Sequence, residues 1–528
     1  MMKKAIKKLL AALLAVAMVC AMAIPAFAYN PGETKEDLNT KHDYGAFQIF
    51  EGVLSKDNET LSDVNWGQNI TEPDIFLANL KNDPTIGEKF ETAATAQDVL
   101  AVISKWHDSD DNSIAFARVV CHYLYPDANA NPTPVATDHT GGINIPKSGY
   151  YLIVDTSTFS DDDFYHAYNS FFLLNVPQTP YVVLVNHKVV KPTVEKEVYD
   201  NNDIGSTGGW GSSADHAINE PFQFRLIAKL PASENNGRAY DYYKEYAVCF
   251  TDTLSDGITF DKLDTVEITN GDGSTPQVIN NYTLDPNNPQ SSFKLSIDDV
   301  KTCVPDLNKG ATITVTYTAH LNEKAYVNTV GGGTDNKNSV YLEYSNNPRI
   351  STSLDHTTTS EVCVYTYQLN NTKHQDSENG PVLEGAGFRL YSNEACNAED
   401  EIKLKMNDDG TYSRDFSTEG KGVEMLSNKD GQFNVKGLDA GTYYLKETNP
   451  PADYSACADK EIVISATHDV NHVSLSGNLS TTIINKKAGG ITLPSTGGIG
   501  TTIFYVVGGG LMVAAIVLLV TKKRMENK

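Results

Sequence analysis

Residues 311 to 319 read ATITVTYTA and residues 339 to 344 read SVYLEY, so apolar and polar side chains alternate with a period of two. That alternation puts every second side chain on one face of an extended strand and does not fit the 3.6-residue repeat of a helix. Clusters of turn-forming residues separate such runs: Asn270-Gly271-Asp272-Gly273, Asp408-Asp409-Gly410 and Lys429-Asp430-Gly431. The regions from about 189 to 352 and from 353 to 488 therefore read as almost wholly β, and sandwich domains are the expected architecture. Residues 29 to about 187 differ. Ala93 to Trp106 and Ile114 to Tyr125 carry a helical pattern and Tyr150 to Val154 is a strand, which predicts a mixed α+β domain.

The two ends set the address. Lys3-Lys4 and Lys7-Lys8 precede an apolar run from Leu9 to Ile24 and then Pro25-Ala26-Phe27-Ala28. This is the plan of a secretory signal peptide over residues 1–28, cleaved after Ala28. Near the other end Ile503 to Val520 is uninterrupted apolar sequence. As a helix, Thr501 to Thr521 would reach about 31 Å, enough for a transmembrane span. Lys522-Lys523-Arg524 follow at once, so the positive-inside bias leaves the large preceding region outside the cell. The division expected is a signal peptide at 1–28, an N-terminal domain at 29–187, two β-sandwiches at 188–352 and 353–488, and an anchor region at 489–528.

The chain carries 42 Lys+Arg against 67 Asp+Glu, a net charge of -25. Loss of the four N-terminal lysines and the basic tail would make the exported part more acidic still. Such a surface repels phosphate backbones, so no nucleic-acid partner is expected.

Parity within strands singles out six polar residues. Lys196 lies between Val194 and Val198, Asp252 follows Val248 and Phe250, and Asn338 precedes Val340 and Leu342. Lys373 follows Tyr367 and Leu369, Glu447 follows Tyr443 and Leu445, and Asn485 follows Ile483. Each shares a face with core-type side chains. Asn336 has the same parity as Asn338 and is its rival. Burial drives a lysine toward its neutral amine and a carboxylate toward its acid. A neutral amine next to an Asn side chain, with a protonated acid donating to the Asn oxygen, can attack the carbonyl carbon and expel ammonia. Lys196 with Asn338, and Lys373 with Asn485, would then be joined by isopeptide bonds, with Asp252 and Glu447 as the respective catalytic acids.

Several segments carry a resemblance. Leu493-Pro494-Ser495-Thr496-Gly497, followed by an apolar span and a basic tail, resembles the LPXTG cell-wall sorting signal of Gram-positive surface proteins. The resemblance implies cleavage between Thr496 and Gly497 by a sortase and transfer of the Thr496 carboxyl to an amine. GPVLEGAGFRLY (380 to 391), TYYLKETNPPADY (442 to 454) and TIINKK (482 to 487) resemble CnaB-type pilin domains, with Glu447 in the family's E-box. KPTVEKEV (191 to 198), FTDTLSDGITF (250 to 260) and NKNSVYLEYSNNP (336 to 348) resemble the middle domain of backbone pilins. Val183 to Lys188 aligns with the VxVYPK pilin motif, although Asn186-His187 replaces Tyr-Pro. The likeness makes Lys188 the amine that attacks Thr496 of another subunit, with Lys191 as runner-up.

What the resemblance implies is a sortase-assembled major pilin of a Gram-positive bacterium. Its fold would be mainly β, with tandem immunoglobulin-like (CnaA/CnaB-type) sandwiches behind a mixed N-terminal domain. The protein would be secreted and wall-anchored. Its partners would be further copies of itself, sortase, ancillary pilins and peptidoglycan, with host ligands beyond these. The alternative is a monomeric wall-anchored adhesin that uses the sandwiches as a stalk. FQIFEG (47 to 52) and Val64-Asn65-Trp66-Gly67 also resemble the family, but no Lys/acid/Asn set is expected in the first domain.

Other chemistries find little support. Asp108-Ser109-Asp110-Asp111-Asn112 lacks the Gly and Glu of a calcium loop, since Ser113 and Val119 stand in those places. Zinc-protease, P-loop and nucleophile-elbow motifs are missing. No cofactor, no metal site and no independent enzyme activity are expected. Cys121, Cys249, Cys303, Cys363, Cys396 and Cys457 are sparse for a disulfide scaffold, and pairs such as Cys249/Cys303 or Cys396/Cys457 stay open.

Overall fold

In the computed structural model, residues 42–525 are described except for 55–60, 108–109, 139–141, 159–170, 177–180, 185–190, 203–207, 232–238, 272, 287–290, 305–306, 308–309, 328–335, 418–419, 478 and 489–498. The expected signal peptide, Lys188 and the Leu493 to Gly497 motif lie outside the described residues.

The N-terminal region is built on strands β1 (Tyr44–Leu54), β2 (Leu61–Trp66), β3 (Ala136–Asp138), β4 (Gly142–Ile145), β5 (Gly149–Asp155), β6 (Phe172–Val176) and β7 (Tyr181–Leu184). One sheet runs β2-β1-β5-β6 with β3 beside β1, and β4 pairs with β7. Helices α1 (Pro73–Asn82), α2 (Ala96–Ile103) and α3 (Asp111–Leu124) pack on one face through Phe76, Leu80, Val99, Phe116 and Val120. A smaller core that includes Ile143, Ile145, Tyr151 and Ile153 fills the other face. The mixed expectation holds, and two of the three helices fall where the periodicity placed them. Helix α1 was not foreseen, although Pro73 pre-sets its first turn.

The middle region contains β8 (Thr193–Asp200), β9 (Gly209–Gly211), β10 (Ser213–Asp215), β11 (Pro221–Lys229), β12 (Val248–Leu254), β13 (Ile258–Thr269), β14 (Gln277–Val278), β15 (Thr283–Asp285), β16 (Phe293–Ile297), β17 (Thr312–Leu321), β18 (Lys337–Ser345), β19 (Leu354–His356) and β20 (Ser360–Tyr365). They form two sheets, β14-β13-β17-β11-β8-β9 and β10-β20-β18-β12-β16-β15, with β19 on β18. Alternation explains the sandwich directly. Phe222, Phe224, Leu226 and Ala228 of β11 and Ile313, Val315, Tyr317, Ala319 and Leu321 of β17 all point into one core, against Val248, Phe250, Val340 and Leu342 of the other sheet. This sandwich takes in β19 and β20, past the boundary expected at 352, because β20 hydrogen-bonds to both β18 and β10.

The last sandwich comprises β21 (Tyr367–Gln375), β22 (Gly387–Tyr391), β23 (Glu401–Ile402), β24 (Leu404–Met406), β25 (Tyr412–Arg414), β26 (Met425–Leu426), β27 (Val435–Leu438), β28 (Gly441–Asn449), β29 (Lys460–His468), β30 (Val473–Gly477) and β31 (Ser480–Asn485). Its sheets are β24-β25-β27-β21-β31 and β23-β22-β28-β29-β30, with β26 on β22. The first and last strands, β21 and β31, are parallel neighbours. Helix α4 (Ile499–Met525) follows. Among the described residues no helix is long and apolar enough to cross a membrane.

Candidate functional site

Two groups of buried polar side chains stand in the two sandwiches. In the middle one, Lys196 shares the inward face of β8 with Val198 and lies opposite Leu226 of β11. Asp252 pairs with Val340 and Leu254 with Asn338, so Asp252 and Asn338 are diagonal neighbours on β12 and β18 of the facing sheet. All three are essentially out of solvent. Lys196 Nζ donates to Asp252 Oδ2 and to Tyr317 Oη at 3.1 Å. Tyr317 Oη donates to Asp252 Oδ1 at 3.2 Å and accepts from Asn338 Nδ2 at 2.6 Å. Asn338 Oδ1 has no hydrogen-bond partner. The rings of Phe224 and Tyr317 lie 5.2 and 5.3 Å from the Lys196 ammonium.

Burial pushes the Lys196 amine down to about 8, against the pull of Asp252, and raises the Asp252 carboxyl above its ordinary value despite Lys196. Both shifts move the pair toward neutral amine and protonated acid.

Tyr317 was not anticipated as a member. It is the tyrosine on the inward face of β17, and it links the amine, the acid and the amide, so the acid reaches Asn338 through a phenol. The rival Asn336 is engaged elsewhere: its Oδ1 accepts from Tyr326 N at 2.7 Å and its Nδ2 donates to the carbonyls of Tyr326 and Val364.

The last sandwich divides the same residue types differently. Lys373 pairs with Ile483, and Gln375 with Asn485, so Lys373 and Asn485 are diagonal neighbours on adjacent parallel strands of one sheet. Glu447 reaches them from β28 in the facing sheet. Lys373 Nζ donates to Asn485 Oδ1 at 2.5 Å and lies 3.7 Å from Glu447 Oε1. Asn485 Nδ2 donates to Glu447 Oε1 at 2.7 Å, and the Cys457 N–H holds Glu447 Oε2 at 2.7 Å. Phe388 lies beneath the amine, 5.7 Å away. Burial lowers the Lys373 amine, with Glu447 opposing. A half-turn of the Asn485 amide exchanges its two contacts and sets Oδ1 on the acid.

The structure thus brings together Lys196, Asp252 and Asn338, and separately Lys373, Glu447 and Asn485. Lys191 is half-buried, with Nζ 3.5 Å from Asp355 Oδ2. None of the six cysteines Cys121, Cys249, Cys303, Cys363, Cys396 and Cys457 forms a disulfide.

Residues 369–478 match the SpaA family, described as a prealbumin-like fold domain. Residues 485–527 match the LPXTG cell wall anchor motif. No curated protein matches the chain. Among solved structures the chain is similar to the T6 backbone pilin of serotype M6 Streptococcus pyogenes, at 16% identity over 85% of this chain and 97% of that one, with a TM-score of 0.44. It is similar to the full-length major pilin SpaD from Corynebacterium diphtheriae at 18% identity, over 88% and 96%, with a TM-score of 0.39. The major pilin subunit BcpA of Bacillus cereus gives 18%, over 69% and 93%, with 0.39. The chain therefore carries a prealbumin-like domain followed by a cell-wall anchor, which locates it at the surface of a Gram-positive cell.

Proposed function

We propose that this wall-anchored protein is the backbone subunit of a covalent pilus, stiffened by one Lys-Asn isopeptide bond in each sandwich. The observation that carries the reading is the recurrence of a buried lysine, acid and asparagine in contact, once in each of two consecutive domains. A lone buried lysine is costly, and two placed beside buried amides serve no evident packing purpose.

In the reaction the neutral Lys Nζ attacks the Asn Cγ. Once the Asn amide has turned to bring its Oδ1 round, onto Glu447 in the last domain and onto the Tyr317 phenol in the middle one, the acid donates to the carbonyl oxygen, directly or through Tyr317, as charge develops on it. Collapse of the tetrahedral intermediate breaks the Cγ–Nδ2 bond. The amide nitrogen leaves as ammonia after taking a proton from the amine by way of the acid, which ends as it began. One C–N bond forms and one breaks, and each event happens once per domain.

Between subunits, sortase cleaves after Thr496 and passes its carboxyl to Lys188 of the next copy. The helix Ile499–Met525 with its basic end holds the precursor in the membrane until that cut. The mass of the intact ectodomain tests the internal bonds, with an expected deficit of two ammonia molecules. Gel electrophoresis of wall extracts in dodecyl sulfate tests the polymer, with a ladder that Lys188→Ala abolishes. A full unmodified mass overturns the cross-links, and a single band with or without Lys188 overturns the fibre.

A further inference from the structure

A second group of titratable side chains lies where the middle and last sandwiches meet. Asp200 and Asp215 come from β8 and β10 of the middle domain, and His468 from the end of β29 in the last. Beside them stand His216, Glu220 and Asp439, again drawn from both domains. Within each of these triads the donor atoms lie within 4.8 Å of one another. We propose that Asp200, Asp215 and His468 form a binding site for one divalent transition-metal cation of the zinc class, which fastens the last domain to the middle one.

Three observations support it. His468 Nε2 is 3.6 Å from Asp200 Oδ2 and 3.9 Å from Asp215 Oδ2. Those separations exceed hydrogen-bonding range. They suit donors that share a cation at about 2.0–2.2 Å from each, which can stand up to about 4 Å apart.

The donors are also oriented from behind. Asp215 Oδ2 accepts from Tyr367 Oη at 2.8 Å, and His468 Nδ1 is 2.9 Å from Ser213 Oγ. Asp215 has no exposed surface, yet its Oδ1 has no hydrogen-bond partner. His216 repeats the arrangement: its Nε2–H donates to the Tyr199 carbonyl at 2.8 Å, leaving a buried Nδ1 that has no hydrogen-bond partner. A ring nitrogen fixed by a carbonyl while the other faces carboxylates is the usual setting of a metal-binding imidazole.

The third observation is charge. Four carboxylates, three of them buried, converge on this seam, and Arg414 stands 3.8 Å from Glu220 at its edge. Carboxylates brought this close together repel one another. A divalent cation relieves that repulsion where protons otherwise must. Imidazole with carboxylates favours zinc-like ions over calcium or magnesium, which prefer all-oxygen shells.

The test uses the full chain in detergent, stripped with chelator and titrated with zinc chloride by calorimetry at neutral pH. Metal content after desalting is read by mass spectrometry. Saturable zinc uptake is expected, undiminished by excess calcium, and reduced by one equivalent, or at least about tenfold in affinity, in Asp215→Asn and in His468→Ala. Asp215 is deep in the seam and its variant can fail to fold. His468→Ala, at the rim, is therefore read alongside, and circular dichroism selects the folded variants. Absence of zinc uptake, or uptake unchanged in a folded variant, overturns the site and leaves a cluster held by protons alone.

Discussion

Replacing Glu447 with Gln keeps the shape of the last domain's polar group while removing its acid. Its one oxygen can still accept from the Cys457 N–H, and its NH2 can donate to Asn485 Oδ1 once that amide turns, so the fold should be retained. On the proposed reaction, what is lost is the proton donor, and with it the Lys373–Asn485 bond. The thermodynamic effect follows from loop closure. Lys373 and Asn485 are 112 residues apart, and a cross-link closing a loop of that size removes about 16 cal/mol/K from the unfolded chain, about 5 kcal/mol at room temperature. A domain of roughly 120 residues unfolds with about 250 cal/mol/K, so the loss lowers its melting temperature by about 20 °C. Leaving Lys373 buried and unlinked adds to the loss. Differential scanning calorimetry of the ectodomain reads the shift, and intact mass confirms that one ammonia has been retained. A variant that lacks the bond but melts within about 5 °C of the parent refutes the loop-closure argument. A variant that still loses both ammonia molecules refutes the role of Glu447.

Tyr317→Phe deletes the phenol that joins Asp252 to Asn338 but leaves the ring against Phe224 and Phe260. The middle-domain bond should form at least about tenfold more slowly, as expected for loss of one hydrogen-bond donor to the reacting carbonyl, while the last-domain bond is unaffected. Peptide mapping at timed intervals after refolding distinguishes the two, and equal rates exclude a role for the phenol. The middle-domain rate should also depend on pH. Burial lowers Lys196 to about 8 and raises Asp252, and the reactive pair has one proton, on the acid. Protonation of the amine slows the reaction on the acid side, and loss of the acid's proton slows it on the alkaline side, so the profile is bell-shaped. Before cross-linking, the depressed lysine makes the domain more stable as pH rises from about 8 toward the unfolded value near 10.5, because the unfolded chain binds more protons there. Stability that falls across this window contradicts the buried amine.

Strand alternation carried most of the fold, because one face of nearly every long strand meets a core. Parity alone put Lys196, Asp252, Asn338, Lys373, Glu447 and Asn485 inside, and all six are buried. It did not reveal Tyr317, which reads as an ordinary aromatic among Ile313, Val315 and Ala319. Helix α1 was hidden by the prolines at 73 and 84, which read as loop punctuation, although Phe76, Leu77 and Leu80 form a buried stripe. Parity also cannot say which sheet a strand joins. The two triads therefore looked alike in sequence, while in space the lysine and asparagine face each other across the middle sandwich and adjoin within a sheet of the last. The seam of Asp200, Asp215 and His468 was illegible for a simpler reason: its members are up to 268 positions apart and in different domains.

With both cross-links in place, tension along a fibre would bypass everything between Lys196 and Asn338 and between Lys373 and Asn485. The stretch from Asn338 to Lys373 would then carry the load through chain that non-covalent contacts alone hold in place. Its roughly 35 residues could pay out to about 120 Å if peeled away. Among the contacts that restrain it are β20 against β18, β20 against β10, and side chains that cross to neighbouring domains. Of those, Tyr365 Oη donates to the Asp469 carbonyl at 2.8 Å and Tyr367 Oη to Asp215 Oδ2 at 2.8 Å. The second bond ties the unprotected stretch to the carboxylate that anchors the interdomain cluster. A cation held by Asp200, Asp215 and His468 would therefore act on the stretch between the two covalent staples, joining the middle domain to the strand end at His468 and fixing the acceptor of Tyr367 in the same step.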